Sequence, residues 1–289
     1  QNIGNFQTTF YPKARIFILQ SFFKHIPHKV VILLSIFGLF PTVDLRFLSN
    51  KTNYDRATNN FFYKLSKNNK YLNFFYTKEF VLINSLAYDV HKSNTLSITE
   101  EKIVLVDTNI NHKDNLLYSG RVPREKVEKS YKIIENFLKK ISLLFNKPVA
   151  VCIHPSSNLD QIKNFLKDFE VVKYKTRENI YRSFLTFFYD SSSIVDALLL
   201  KKNILVLENE LMGKSISDLH KVYTSKIGLI KINLNQEFPI DNKEIFLSKI
   251  KNTTNSQKFN NYIYNNLQPD GNFNGTKKFI QKIKEKYFV

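Results

Sequence analysis

Val149-Ala-Val-Cys-Ile-His-Pro-Ser-Ser157 and its echo Phe187-Phe-Tyr-Asp-Ser-Ser-Ser193 decide how the chain is read. In the first, an apolar run of strand length stops at His154-Pro155, and Ser156 and Ser157 follow. In the second, the run stops at Tyr189-Asp190, and Ser191, Ser192 and Ser193 open helix-type sequence. A strand that delivers polar groups at its carboxyl end, ahead of a helix, is the unit of an open α/β sheet. Such sheets bind ligands in the crevice outside the strand ends. Serine hydroxyls and the unpaired N–H groups of a following helix together make an anion pocket suited to phosphate.

The same pattern extends outward in both directions. A strand over 103–106 stops at Asp107-Thr108-Asn109, and Pro123 opens an amphipathic helix to about 146. The strand over 149–153 precedes a helix over 158–168, and a strand over 170–173 meets Lys175-Thr176 and a helix over 178–182. A strand over 184–189 leads to the serines and a helix over 193–201; the next, over 204–207, ends at Glu208. A further strand near 227–232 and helices over 242–251, 256–266 and 275–287 complete the reading. Strands alternating with helices predict a doubly wound parallel sheet. Its carboxyl edge would gather Asp107, His154, Tyr189 to Ser193 and Glu208. Neither GxGxxG nor GxxxxGK[ST] occurs, which disfavours dinucleotide oxidoreductases and P-loop hydrolases.

The first ~95 residues read as a smaller α/β unit. Residues 14–25 mix aromatics and bases at helical spacing, as in a packed helix or one lying on a membrane. A strand is predicted over 29–35, a helix over 53–67 with Ala57, Phe61, Phe62 and Leu65 inward, and a buried strand over 80–84. The polar stretch 91–101 is the best linker, giving expected domains 1–97 and 98–289, the second carrying the helical tail. Residues 30–40 are the most apolar stretch but fall short of the ~20 needed to span a bilayer. They also lack a signal-peptide cleavage pattern. The chain opens on Gln1 rather than methionine and reads as trimmed, its original start left open.

Composition bounds the classes. With 289 residues, 43% hydrophobic and 24% charged, the chain is long enough for real cores and is not of disordered type. A single cysteine, Cys152, rules out an internal disulfide framework and fits a reducing, cytoplasmic setting; its apolar context reads as core. The net charge of +18 calls for a polyanionic partner or an anionic membrane face. Lysines are spread along the chain, with no zinc-type Cys/His pairing, so nucleic acid is disfavoured.

The candidate chemistry has plain competitors. His154 with the serines suits a nucleotide phosphate and stabilisation of its departure; a satisfied structural histidine and a helix cap from Ser191 or Ser192 are the alternatives. Asp107 fits a general base for an acceptor hydroxyl, or a turn residue at a strand end. Lys175 and Thr176 reach toward phosphates or sit in a solvated turn, and Glu208 would accept from a ribose or base. Asp107, His112 and Asp114 match no standard metal spacing, so no metal is expected.

Residues 102–212 resemble bacterial surface-polysaccharide glycosyltransferases of the GT-B type, nearest the group of sialyltransferases, polysialyltransferases and Kdo transferases. The resemblance rests on Asp107 at a strand end, His154-Pro155 and Ser191-Ser192-Ser193, in that order. It implies two Rossmann-like domains, the amino-terminal one on the acceptor side. It implies an inverting transfer without metal or other cofactor, from a CMP-activated 2-keto sugar to a glycan or glycolipid. Asp107 would be the base, His154 would bind the CMP phosphate and assist its departure, and the serines would hold the same phosphate. Pro155 and Ser156 belong to the donor loop. The acidic motif of the group pairs two carboxylates before a glycine, where this chain has Val106-Asp107-Thr108. Tail lysines Lys277, Lys278, Lys282, Lys284 and Lys286 suit peripheral contact with an anionic membrane, or a solvated helix face.

Overall fold

The computed structural model describes residues 8–9, 43–60, 63–64, 77–109, 122–209, 220–236 and 243–288. In chain order it begins with β1 (Thr8–Thr9), β2 (Val43–Leu48), α1 (Lys51–Thr58), β3 (Thr77–Leu82) and α2 (Leu86–Ser93). Then come β4 (Lys102–Val106), α3 (Arg124–Phe145), β5 (Val149–Ile153), α4 (Leu159–Phe165), β6 (Glu170–Lys173) and α5 (Thr176–Tyr181). β7 (Ser183–Phe188), α6 (Ile194–Leu199) and β8 (Asn203–Glu208) lead to a π-helical turn (Tyr223–Ile227) and β9 (Ile230–Asn233). Helices α7 (Lys243–Thr254), α8 (Gln257–Asn266) and α9 (Gly275–Tyr287) close the chain. Two compact units result: residues 1–92 with 264–289, and residues 93–263.

The second unit holds a six-stranded, wholly parallel sheet in the order β6-β5-β4-β7-β8-β9. Counted within the unit, that is 3-2-1-4-5-6, the Rossmann order, which reverses direction between β4 and β7. Ile103, Val104, Leu105, Ala150 and Val151 are all fully buried. A sheet covered on both faces needs apolar runs rather than alternation, and these runs supply them. On α3, Tyr131, Ile134, Leu138, Ile141 and Phe145 are buried at steps of three and four. That stripe joins Ile103 and Leu105 in one core with Ile162 of α4 and Ile250 of α7. Each buried aliphatic contributes about 1.5–3 kcal/mol, so burial holds α3 more than intrinsic propensity does. Asn146, left-handed at φ 50°, ends the helix by giving its N–H to Leu143.

The predicted strand near 227 starts later, at Ile230, because the π-helical turn occupies 223–227 and Gly228 closes it at φ 87°. The predicted linker also shortens: α2 runs to Ser93, and 94–101 has no regular structure. This segment is fastened to its own unit. Buried Lys202 donates to Thr99 O at 3.0 Å and Ser183 O at 2.8 Å, and Glu101 N–H bonds Arg182 O at 3.0 Å.

In the first unit, β2 pairs in parallel with β3 and antiparallel with β1. Of the tail helices expected with the second domain, α7 and most of α8 stay with it, whereas α9 clusters with the first unit. Phe279 and Ile283 of α9 pack onto Leu45, Phe47 and Val81, with the Phe47 and Phe279 ring centroids 4.6 Å apart. Buried apolar area, rather than chain proximity, decides where a tail helix docks. Helix α1 ends at Thr58, short of the expected 67; the positions Phe61, Phe62 and Leu65 lie outside the described residues, as do the predicted helix over 14–25 and strand over 29–35. Among the described residues, no helix is long and apolar enough to cross a membrane.

Candidate functional site

Register places the site. Val106 pairs with Cys152 on one side and with Phe188 on the other. Asp107, Ile153-His154 and Tyr189 therefore emerge side by side at the carboxyl edge, Asp107 and Tyr189 flanking the point where strand order reverses. The Asp107 N–H extends the ladder to Cys152 O at 2.9 Å.

The His154-Pro155-Ser156-Ser157 loop is a tight turn held by Ser157 N–H on His154 O, 2.9 Å. Within it, His154 Nδ1 accepts from the Ser156 N–H at 3.1 Å and lies 2.7 Å from the Ser156 hydroxyl. A ring nitrogen that accepts a backbone N–H carries no proton, so the neutral imidazole holds its proton on Nε2. The Ser156 hydroxyl in turn accepts from Asn109 Nδ2 at 2.9 Å. Asn109, at the end of β4, thus orients His154 through Ser156. Beneath the loop, Lys173 donates to Ser157 O at 2.9 Å.

Asp107 is 3% exposed. Its Oδ2 accepts from the Tyr131 hydroxyl at 2.6 Å, while Oδ1 is buried and has no hydrogen-bond partner. Burial pushes its carboxyl up to about 6, against the downward pull of the Tyr131 hydrogen bond. Burial and the neighbouring Asp107 charge push Tyr131 well above the ordinary tyrosine range. The Tyr189 hydroxyl, also buried and without a hydrogen-bond partner, is shifted the same way by the same two causes.

A cleft of about 360 Å³ opens between α3 and α4 outside the ends of β4 and β5, lined among others by Asn109, Arg124, Tyr131, Ser156, Gln161 and Phe165. Asp107 follows β4 and His154 follows its neighbour β5, but of Asp107, His154 and Ser156 only Ser156 lines the cleft. The remaining candidates lie elsewhere along the edge. Lys175 is exposed beyond edge strand β6, next to Thr176 at the start of α5. It is Lys173, not Lys175, that touches the His154 loop.

Ser193 takes the cap position of α6 without a side-chain capping bond, and the Ser191 hydroxyl accepts its N–H at 3.2 Å. The expected cap by Ser191 or Ser192 is thereby replaced by a turn within the serine run; Ser192 is exposed. Asp196, in the first turn of α6, is held by Arg177 at 3.1 Å. Glu208 ends β8 as expected but is engaged by Lys231 of β9 at 2.6 Å. His112 and Asp114 lie outside the described residues, and among the described residues no group of three His, Cys, Asp or Glu is placed to hold a metal.

The fold is a doubly wound α/β domain with polar side chains gathered at the carboxyl edge of its parallel sheet. No protein-family model matches the chain, and no curated protein does. Among solved structures, the Staphylococcus aureus MnaA–UDP co-structure is similar with a TM-score of 0.44 and 13% identity, over 92% of this chain and 65% of that one. The Methanocaldococcus jannaschii UDP-GlcNAc 2-epimerase in complex with UDP-GlcNAc and UDP gives 0.45 and 11%, over 86% and 62%. The wall teichoic acid polymerase TagF gives 0.42 and 13%, over 83% and 57%. The chain thus spans less than two thirds of these proteins. Likeness at this level leaves activity to be argued from the site.

Proposed function

We propose that the chain is an inverting glycosyltransferase of GT-B type that moves a sialic-acid-like or Kdo-type sugar from a CMP donor to a bacterial surface glycan or glycolipid. The observation that carries this reading is the Asn109–Ser156–His154 relay at the carboxyl edge of a Rossmann-ordered sheet, beside a cleft of about 360 Å³. A histidine held with Nε2 protonated is a donor for a phosphate oxygen, and its hydrogen bond strengthens as charge builds on the departing CMP. Asp107, shifted to about 6, has the basicity of a proton acceptor working near neutrality. Ser191, Ser192 and Ser193 at the end of β7, and Lys175 and Thr176 beyond β6, extend the donor surface along the same edge. Glu208 is the candidate for the ribose or base. No metal or cofactor enters this scheme.

Peripheral attachment to an anionic membrane remains part of the proposal, although the tail carries less free charge than its lysine count suggests. Lys278, Lys282 and Lys286 pair with Asp270, Glu285 and Glu79.

The test is a metal-free thermal-shift screen with CMP, CDP, UMP, UDP and GDP on the wild type and His154→Ala. A ligand that binds only the native state raises the melting temperature by mass action. Stabilisation by CMP alone, lost in His154→Ala, supports the reading. A shift with UDP or GDP instead replaces the donor by a UDP- or GDP-sugar, and a shift with CDP points to polyol-phosphate transfer. No shift with any of them removes the nucleotide site.

A further inference from the structure

Asp107 and Tyr131 are each only 3% exposed, but of the two it is Tyr131 that lines the cleft. The two are one unit, with the Tyr131 hydroxyl 2.6 Å from Asp107 Oδ2. The Tyr131 ring is stacked on Phe165, which lines the same cleft, with centroids 5.1 Å apart and planes at 18°. That stacking holds in place the ring whose hydroxyl bonds Asp107. A phenol that donates to a carboxylate keeps acceptor capacity on its oxygen.

We infer that Tyr131 is the group through which Asp107 acts on the acceptor: the acceptor hydroxyl gives its proton to the Tyr131 oxygen as Tyr131 gives its own to Asp107 Oδ2. This rests on the glycosyl-transfer reading above. In the step, the acceptor O–H bond breaks and a new Tyr131 O–H bond forms, while the original Tyr131 O–H breaks and an Asp107 O–H forms. The electron pair freed on the acceptor oxygen makes the bond to the anomeric carbon. The bond from that carbon to the CMP phosphate oxygen breaks, and its pair leaves on the phosphate. Tyr131 ends as it began, and the proton rests on Asp107.

The shifts on the two groups agree with this division. Tyr131 is held far from ionising by itself, and Asp107 is held near neutrality. Among the described residues, the titratable groups interacting with Asp107 are Tyr131 from α3 and Tyr189 from the end of β7.

The experiment is Tyr131→Phe in the full chain, which keeps the ring and its stacking and removes only the hydroxyl. CMP binding by thermal shift should persist. Turnover of CMP-N-acetylneuraminate or CMP-Kdo should fall ~100-fold in kcat, with donor KM little changed. The acid limb of the pH profile should move upward, because Asp107 loses a hydrogen bond that lowers its pKa. Wild-type kcat with an unmoved acid limb overturns the proposal. If CMP does not bind the wild type, the donor reading fails by itself, and carbon-13 NMR of the Asp107 carboxyl still decides the pairing: an upward shift of its titration in Tyr131→Phe upholds it, and no shift overturns it. If Tyr131→Phe does not fold, fluorinated tyrosine at position 131 keeps the hydroxyl and makes it more acidic. The pH profile should then change shape, and an unchanged profile overturns the relay.

Discussion

Asp89 accepts the Gly275 N–H at 2.9 Å, joining the helix that follows β3 to the last helix across 186 residues of chain. The same carboxylate takes the Thr276 N–H at 2.6 Å and the Thr276 hydroxyl at 2.7 Å. It therefore caps α9 from outside, satisfying first-turn N–H groups that have no partner within the helix. Asp89→Ala should destabilise this unit by roughly 2–3 kcal/mol, the loss of a cap plus desolvated donors. Urea unfolding followed by a probe in residues 43–92 measures it. A change under 0.5 kcal/mol would show that the contact contributes nothing.

Gly275 is needed for a steric reason. A Cβ at this position would lie 2.6 Å from the Asn84 carbonyl oxygen and 3.1 Å from its nitrogen. Backbone cannot yield as a side-chain tip does, and Asn84 is itself tied to Gly271 O and Phe273 O by its amide. Gly275→Ala should lower stability by roughly 1–3 kcal/mol, in the range of overpacking, although alanine is the better helix former. Enhanced protease cleavage near 268–275 would be its signature, and a wild-type melting curve would contradict the tight approach.

Cys152 offers a simple check on the sheet. It lies 1% exposed in the middle of β5, and burial pushes its thiol up to about 12. The thiolate is the reactive form, so thiol reagents at pH 8 should leave the folded protein unmodified and label it fully in guanidinium. Rapid labelling of the native protein would place β5 at a surface.

These cases show what the sequence displays and what it hides. Asp107, His154 and the serines are visible because each interrupts an apolar run, and a parallel sheet must put such interruptions on one edge. Tyr131 is hidden because it sits at core spacing on α3 and counts as one more apolar residue; only its 2.6 Å bond to Asp107 reveals its other end. Asn109 and Lys173 acquire their partners from the pairing of β4, β5 and β6, which no local pattern encodes. Strand β2 is different. Val43, Leu45 and Phe47 alternate with Asp44 and Arg46, a period-two signal that a search for unbroken apolar runs passes over. The docking of α9 rests on Phe279 meeting Phe47, a long-range contact between two residues that separately look like ordinary core.

The shifted carboxyl of Asp107 makes a prediction about stability as well as activity. Its native pKa, about 6, lies above its ordinary 3.8, so between those values the native state binds more protons than the unfolded chain. Stability then falls as pH rises through that window, and the whole loss is present above it. A difference of 6 − 3.8, about 2 units, corresponds to about 3 kcal/mol for a group this buried. Asp107→Asn removes the charge while leaving an oxygen to accept from Tyr131. At pH 7.5 the variant should be more stable than the wild type by ~1–3 kcal/mol, since the new amide must find an acceptor of its own. At pH 4, where the native carboxyl is already protonated, that advantage should be gone. Its transferase activity should be lost over the whole range, the opposition between stability and function expected of a residue kept in an unfavourable setting for its chemistry. Paired melting curves at the two pH values decide it: a stability difference that does not depend on pH would mean that Asp107 is not the raised carboxylate the geometry describes.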